Sequence, residues 1–444
     1  MRLFCGISLL IGLVTLGWMV YKKKNDVFHP LCFFCIMQFL RYVPTMLKGD
    51  VDTQVTITEN GVVTLFYMEL LVILCVFVGY GLYQTNRRNK IYTYQFEGRY
   101  NQKGILYGSV LFIIGVATRV YFIQLNGGLT YILSNIQQKV HMVTGHGYLL
   151  AFGNFMTYGL CMILVEFVQN FTIKRKIIFV LLLACDLFFL GFMSDRTAVM
   201  RAIMIIVMVY HYKKKRLTVK SILNPKVLLA IYGIIVFIVA MPLLRNSEGF
   251  DKYGSVSALL NEATGKVWNI FYWFSYAGRD IFVYQHFNIT NYWWGANILN
   301  LLCAPIPAAL ISWKPPVDEG YYLSNLVLGY DIAPPSLDYV YKSSFPFSNQ
   351  GILFANFGII GLIIGSICLG YVYGHMYKIL VSSEHNVVAV IVSQVILYNF
   401  AFTSHDMVMV LSLIGYLIIP LILFGKLRLC RYFSKNYKVY AEER

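Results

Sequence analysis

Residues 62–84 read VVTLFYMELLVILCVFVGYGLYQ, an apolar run in which Glu69 is the one charged residue. A run of about 20 apolar residues gives an α-helix the length that it needs to cross the hydrocarbon core of a bilayer. Similar runs recur along the chain, which has 444 residues, 58% of them hydrophobic and only 13% charged. Soluble proteins carry roughly 25% charged residues, so the composition predicts an all-α polytopic integral membrane protein.

The apolar runs predict about eleven transmembrane helices, within a range of 10–12. If the N-terminus lies outside, the inside segments hold about two thirds of the 37 Lys and Arg residues. Because basic residues concentrate in cytoplasmic loops, this puts the N-terminus outside and the C-terminus in the cytoplasm. The net charge of +16 is then a topology signal, and nucleic-acid binding is not expected. The approximate spans are 3–21, 27–47, 62–84, 104–126, 148–169, 176–193, 197–212, 227–244, 351–377, 386–403 and 407–425.

This topology predicts one large extracytoplasmic loop with interfacial helices. Within the loop, residues 296–313 are apolar enough to span, but Pro305 and Pro307 interrupt them, so we expect a re-entrant or interfacial segment. A loop of this length normally has its own structure and a function. The predicted parts are a transmembrane bundle of about eight helices (1–245), the loop (246–350), the last transmembrane helices (351–425) and a basic cytoplasmic tail (426–444).

Ionisable residues within spans are rare and usually functional, and five lie at one predicted depth. At about 1.5 Å rise per residue, each lies roughly 8–12 Å below the outer surface. Buried ion pairs that orient helices would explain any one of these residues, but five together favour an outward-facing polar cavity. They are Arg41, Glu69, Arg119, Asp186 and Arg201.

Two outer segments add charged residues. Ser194-Asp195-Arg196-Thr197-Ala198 joins two spans, and a helix N-terminus there would favour anions, so Arg196 and Arg201 could bind a phosphate or diphosphate. A surface pair between Asp195 and Arg196 is an equally good explanation. In the aromatic part of the long loop, Arg279-Asp280 is a charged pair that needs a partner. His405-Asp406, in the turn before the last span, could act as base and orienter or simply be solvated.

Other motifs are weak. The nine cysteines are scattered, with no metal-ligand spacing, so no metal site, cofactor or disulfide framework is expected. No predicted inside loop can house a nucleotide-binding domain, so an enzyme that uses cytosolic ATP or nucleotide sugars is not expected. Asp50-Val51-Asp52 lies in a short outer loop, where nucleotide sugars are absent. Gly361-x-x-x-Gly365 and Gly370-x-x-x-Gly374 predict close helix packing.

Several of these segments also match a known family. Asp26-Val27-Phe28-His29-Pro30 opens the second span, and Asn356-Phe357-Gly358-x-x-Gly361 starts the span after the long loop. Together with the Ser194–Ala198 turn and the loop itself, they resemble the O-antigen and capsule repeat-unit polymerases, the Wzy-type family. The resemblance implies a metal-independent glycosyltransferase in the cytoplasmic (inner) membrane that joins undecaprenyl-diphosphate-linked oligosaccharides on its outer side. A chain-length regulator and a flippase are the implied protein partners.

On this hypothesis, arginines stabilise the diphosphate leaving group as the glycosidic bond breaks. The candidate bases are, in falling order, Asp280, Asp195 and His405. The candidate residues for diphosphate or chain binding are Arg196, Arg119, Arg201, Arg279, Arg41 and Arg245.

Three other functions use the same residues. A glycan ligase, which moves finished polymer from the lipid to a surface acceptor, needs the same outward arginines. A lipid-linked oligosaccharide flippase or other transporter is less favoured, because transporters often have two similar halves and this sequence shows none. A scaffold for a glycan-assembly complex would need the buried charges only for structure.

Overall fold

The computed structural model describes residues 1–48, 55, 57–85, 103–135, 142, 147–169, 171–192, 196–244, 255–266, 271, 274–306, 310, 313–336 and 343–423. Within these ranges the regular secondary structure is α-helical and no strand occurs, which confirms the all-α prediction. The predicted tail 426–444 and the Asp50-Val51-Asp52 motif lie outside the described residues.

Helices occur along all of the predicted apolar spans, and the span 148–169 is divided between two of them. The helices of the described ranges are α1 (Arg2–Lys24), α2 (Pro30–Lys48), α3 (Glu59–Thr85), α4 (Lys103–Leu125), α5 (Leu129–Ser134), α6 (Gly147–Gly153), α7 (Phe155–Gln169), α8 (Ile173–Gly191), α9 (Arg196–Lys213), α10 (Val219–Ile222), α11 (Pro225–Leu244), α12 (Val256–Gly265), α13 (Ala277–His286), α14 (Asn297–Cys303), α15 (Gly320–Val327), α16 (Asn349–Ser382), α17 (Val387–Asn399) and α18 (Ser404–Leu423).

Among the residues that the structure describes, six helices are long and apolar enough to cross a membrane. Three shorter apolar helices, Pro225–Phe237, Val387–Asn399 and Ser404–Ile419, accompany them. The chain is therefore a multi-pass, all-α membrane protein. The six candidate spans are Arg2–Lys24, Pro30–Leu47, Glu59–Thr85, Gly104–Leu125, Leu149–Gln169 and Asn349–Ser382.

The chain forms two compact units, which group the segments differently from the predicted linear parts. The long predicted loop contributes to both, because residues up to Ile270 belong to the second unit and those from Phe271 to the first. The first unit comprises Met1–Asn89, Phe271–Lys378 and Asn399–Leu411, and the second comprises Lys90–Ile270, Ile379–Tyr398 and Ser412–Arg444.

In the first unit, glycines allow α3 and α16 to approach at backbone distance. A Cβ atom on Gly79 would collide with the carbonyl oxygen of Ile367, and one on Gly370 would collide with that of Val76. Gly374 makes room for the Tyr83 ring in the same way. These contacts confirm the packing role predicted for Gly370-x-x-x-Gly374, since small residues let membrane helices pack closely.

Helix α16 is broken near its N-terminal end. Phe357 (φ −139°, ψ 16°) and Gly358 (φ 59°, ψ −145°) leave the helical region, and the positive φ at Gly358 suits glycine. Trp293 and Trp294 donate backbone hydrogen bonds to the carbonyls of Ala355 (2.9 Å) and Asn356 (3.1 Å) at this break. The loop before α14 is thereby attached to α16.

Helix α14 belongs to the segment 296–313 that was predicted to be re-entrant or interfacial. Its seven residues are far too few for a span, which needs about 20 residues. Its polar side chains, Asn297 and Asn300, are buried, whereas Ile298 and Leu302 are exposed. An apolar outer face of this kind suits contact with lipid. Residues 307–309 and 311–312 lie outside the described residues.

The second unit is built around the pairing of α4 with α7. Gly108 and Gly159 face each other, and a Cβ atom on either would collide with the carbonyl oxygen of the other. Gly115 likewise makes room for Met156. Helices α6, α8 and α9 also pack in this unit, and nearly every residue of α7 is buried.

Candidate functional site

The first unit contains a pair of arginines on one aromatic ring. Tyr276 precedes α13, and the guanidinium carbons of Arg41 and Arg279 lie 5.3 Å and 4.5 Å from its ring centroid. The two guanidinium carbons are therefore less than about 10 Å apart. All three side chains are half-buried, and guanidinium groups bind favourably over aromatic faces. We call Arg41, Tyr276 and Arg279 the arginine clamp.

The two arginines of the clamp are held differently. Arg279 donates hydrogen bonds to the carbonyls of Pro346 (3.0 Å) and Ser275 (3.1 Å), which fix its guanidinium while leaving further N–H groups. Arg41 makes no hydrogen bond or ion pair from its guanidinium within the described residues, although its backbone carbonyl accepts from the Tyr276 amide at 3.3 Å. The guanidinium of Arg41 can therefore receive an anion without losing a hydrogen bond.

Asp280 follows Arg279 in α13 and has both carboxylate oxygens engaged in hydrogen bonds. Oδ1 accepts from the Ser348 hydroxyl at 2.6 Å, and Oδ2 accepts from the Tyr42 hydroxyl at 2.8 Å. Ser348 Oγ also accepts from the Gly351 amide at 2.8 Å, so Asp280 lies at the N-terminal end of α16, where a negative charge is favourable. Asp280 is fully buried, and these contacts suit a residue that positions the clamp and ties α2, α13 and α16 together.

Burial raises the pKa of Asp280 to about 6. The hydrogen bonds from Ser348 and Tyr42 and the charges of both clamp arginines act in the opposite direction but do not cancel the effect of burial. A neutral carboxyl at this position is therefore accessible near pH 6.

A second buried acid joins this network through one amide group. Gln350 Nε2 donates to Glu69 Oε1 and lies 3.4 Å from Asp280 Oδ2. Glu69 is completely buried, and its Oε2 has no hydrogen-bond partner within the described residues. The charge of Arg41 acts on both carboxyl groups. The structure thus brings together Arg41 and Glu69, which were predicted to share a depth, with the loop residue Asp280.

His405 lies on the same unit, in the first turn of α18, and is exposed. Its neighbour Asp406 accepts a hydrogen bond from the Thr403 hydroxyl at 2.9 Å and returns one from its amide at 3.1 Å. The charges of Arg41 and His405 both act on Asp406. Of the candidate bases within the described residues, His405 is the accessible one and Asp280 is the buried one.

The second unit holds another set of predicted residues. Arg119 donates to the carbonyl of Leu150 at 3.2 Å and passes Gly153, where any Cβ atom would collide with its guanidinium. Asp186 accepts from the Thr157 hydroxyl at 2.9 Å and feels the charge of Arg119. Arg201 lies close enough to act electrostatically on Tyr158. Arg119, Asp186 and Arg201 therefore share a unit that contains neither Arg41 nor Glu69.

Three predicted site residues have no described side chain. Asp195 and Arg245 lie outside the described residues. Arg196 is the first residue of α9, but its side chain also lies outside the described part.

The motif at Asp26–Pro30 forms a helix junction. Asp26 Oδ1 accepts from the Phe28 amide at 2.9 Å, and Oδ2 accepts from the Tyr377 hydroxyl at 3.3 Å. His29 is buried at this junction. Its Nδ1 accepts from the Leu31 amide, so Nε2 carries the proton and donates to the Tyr80 hydroxyl at 2.9 Å. This motif anchors the start of α2 to α3 and α16.

Several residues of the site were not predicted to have a role there. Ser348 could have been recognised from its spacing, because a serine three residues before Gly351 and an apolar run is a helix-start signal. Tyr42, Gln350 and the contact between Arg41 and Tyr276 have no local signal, since their partners are distant in sequence. Within the described residues, no group of three or more His, Cys, Asp or Glu side chains is arranged to hold a metal ion.

We expect the pH dependence of stability to depend on Asp280. A carboxyl whose pKa is raised on folding stabilises the protein below its unfolded pKa, and that contribution is lost as the pH rises through about 6. The size of the loss is about 3 kcal/mol. Thermal unfolding of the purified protein between pH 4 and pH 7 should show it, and the Asp280→Asn variant should be less pH-dependent. An equal pH dependence in that variant would show that other groups are responsible.

Comparison of the chain with protein-family models, with curated proteins and with solved structures finds no match. Its function must therefore be inferred from the chemistry of its own residues.

Proposed function

We propose that this protein is a membrane-embedded glycosyltransferase that polymerises undecaprenyl-diphosphate-linked oligosaccharide repeat units into an O-antigen or capsule. The observation that carries the proposal is the arginine clamp. Its Arg41 guanidinium has no hydrogen-bond partner among the described residues and lies within about 10 Å of the Arg279 guanidinium. Paired guanidinium groups are suited to bidentate binding of phosphate oxygens. The resemblance of the sequence to Wzy-type polymerases supports the same ligand.

The proposed topology puts the clamp on the outer side of the cytoplasmic membrane. With about eleven spans and an outside N-terminus, α2 runs outward, and Arg41 lies near its outer end. Residues 246–350 are then extracytoplasmic, so Arg279 approaches from the loop side. A diphosphate headgroup of a lipid lies at this interface.

The proposed reaction exchanges one C–O bond for another. A hydroxyl of the acceptor repeat unit attacks the anomeric carbon of the donor glycan, and the bond from that carbon to the lipid diphosphate breaks. The clamp binds the diphosphate as its charge develops, which is where fixed donors lower the barrier. The proton of the attacking hydroxyl goes to a base, for which the exposed His405 beside Asp406 has the better access.

The other residues predicted to bind the diphosphate or the glycan chain remain part of the proposal. Arg119 and Arg201 are the candidates within the described residues, and Arg196 and Arg245 are candidates from the sequence. The proposed partners are the two lipid-linked oligosaccharides, the bilayer, a chain-length regulator and a flippase.

The experiment is deletion of the gene, followed by measurement of the lengths of lipid-linked and surface glycan. We expect single repeat units on the normal acceptor, with full-length polymer restored by the intact gene. Full-length polymer stranded on the carrier lipid would identify a ligase instead. Single units trapped on the inner leaflet would identify a flippase, and an unchanged glycan profile would contradict any role in glycan assembly.

A further inference from the structure

Tyr276 brings together two like charges that would otherwise repel each other. Arg41 comes from α2 and Arg279 from α13, and the ring of Tyr276 lies within 5.3 Å of both guanidinium carbons. An aromatic face is negative in its electrostatic quadrupole, so it attracts each guanidinium and lowers the cost of holding them close.

We propose that Tyr276 is a positioning residue whose ring sets the spacing of Arg41 and Arg279 for a prenyl diphosphate. This inference rests on the proposed function for the identity of the ligand, but not for the geometry. Two adjacent phosphoryl groups offer each guanidinium a pair of oxygens, whereas a monophosphate must be shared between them. The clamp is therefore selective for a diphosphate.

The contacts of Tyr276 assign this role to its ring and not to its hydroxyl group. Within the described residues, no hydrogen bond to the Tyr276 hydroxyl occurs, whereas both arginines contact the ring. The backbone amide of Tyr276 separately donates to the Arg41 carbonyl at 3.3 Å. The neighbouring Ser275 hydroxyl lies 2.7 Å from that of Thr45. These links do not involve the Tyr276 side chain, so a substitution of the ring leaves the attachment of α13 to α2 in place.

The test is binding of farnesyl diphosphate to the purified full-length protein in nanodiscs. We expect Tyr276→Phe to bind as the unchanged protein does and Tyr276→Leu to bind about tenfold more weakly, since each cation–π contact contributes modestly. Tyr330→Leu is the matched control, because Tyr330 is an exposed tyrosine of the same predicted loop with no ring contact among the described residues. The unchanged protein should bind farnesyl monophosphate more weakly than farnesyl diphosphate. The ratio of the two affinities should be smaller in the Tyr276→Leu variant.

A second substitution tests the same proposal even if the Tyr276→Leu variant fails to fold. Pentafluorophenylalanine at position 276 keeps the size of the ring but reverses the charge of its face, so it should weaken binding as leucine does. Equal binding by the phenylalanine and pentafluorophenylalanine variants would overturn the proposal. A phenylalanine variant as weak as leucine would also overturn it, because the hydroxyl would then be the active group.

Further outcomes distinguish an error in the proposed ligand from an error in the proposed function. Inorganic diphosphate that binds as tightly as farnesyl diphosphate would identify a soluble diphosphate as the ligand and overturn the lipid assignment. A ring-dependent preference for farnesyl diphosphate would support the clamp even if gene deletion left the glycan unchanged, in which case only the polymerase proposal would fail. A collapse of glycan length with ring-independent binding would contradict the clamp alone.

Discussion

Replacement of Arg41 by alanine is expected to lower the rate of polymer formation by a factor of ~10²–10³, the usual cost of removing one donor to a developing anion. The guanidinium of Arg41 has no hydrogen-bond partner within the described residues, so its removal breaks no hydrogen bond of the described structure. In vivo, the variant should give mostly short glycans. In vitro, the effect should appear in kcat for lipid-linked substrate.

The companion variants make this prediction specific. Arg41→Lys keeps the charge but not the planar fork, so it should recover only part of the rate. Arg216→Ala removes an exposed arginine that follows α9, on the predicted cytoplasmic side, and should leave the glycan unchanged. Normal glycan length in an Arg41→Ala strain with normal protein level would contradict the role of the clamp.

The largest expected loss of stability comes from Gly79→Ala. A Cβ atom at position 79 would collide with the backbone carbonyl of Ile367, and neither helix backbone can move aside as a flexible side chain would. Overpacking usually costs about 1–3 kcal/mol, and we expect this substitution to cost about 3 kcal/mol or more because the contact is with backbone. Unfolding of the purified protein in detergent, and its yield in the membrane, would measure the effect.

Gly81 is the matched control for this prediction. It lies on the same helix, two residues further on, and a Cβ atom there would meet nothing within 4 Å. Since alanine has the higher helix propensity, Gly81→Ala should be neutral or slightly stabilising. Equal stability of the two alanine variants would mean that α3 and α16 are not packed at backbone distance.

The helices were largely predictable from sequence because a span needs a long apolar run, and such a run is visible without any alignment. The run at 62–84 corresponds to α3, which extends it only to Glu59–Thr85. The break in α16 was not predicted, since glycines are ordinary in membrane helices. It depends on hydrogen bonds from Trp293 and Trp294, which lie some 60 residues earlier in the chain.

The candidate site was predictable in part. Arg41 and Glu69 could be identified because a charge inside an apolar run is conspicuous, and Arg279-Asp280 because the pair lies among aromatics. Their grouping was not predictable, because the depth of a residue in the membrane says nothing about which helices are neighbours. The five residues predicted to share one depth divide between two units, and the ring that joins two arginines is one of many tyrosines in an aromatic loop.

The attachment of the loop to the broken helix has a mechanical consequence. The amides of Trp293 and Trp294 pair with backbone carbonyls at the break, and the Gly295 amide donates to the Asn356 side chain at 2.9 Å. A segment held through successive backbone amides cannot lift from the helix without exposing several polar groups at once, each at a cost of about 1–3 kcal/mol. The loop segment from Trp293 to Gly295 should therefore move as one rigid body with the first turns of α16. If the loop opened, it would therefore rotate the end of α16 that contacts Asp280. Because Asp280 is adjacent to Arg279, that rotation would also shift the arginine clamp.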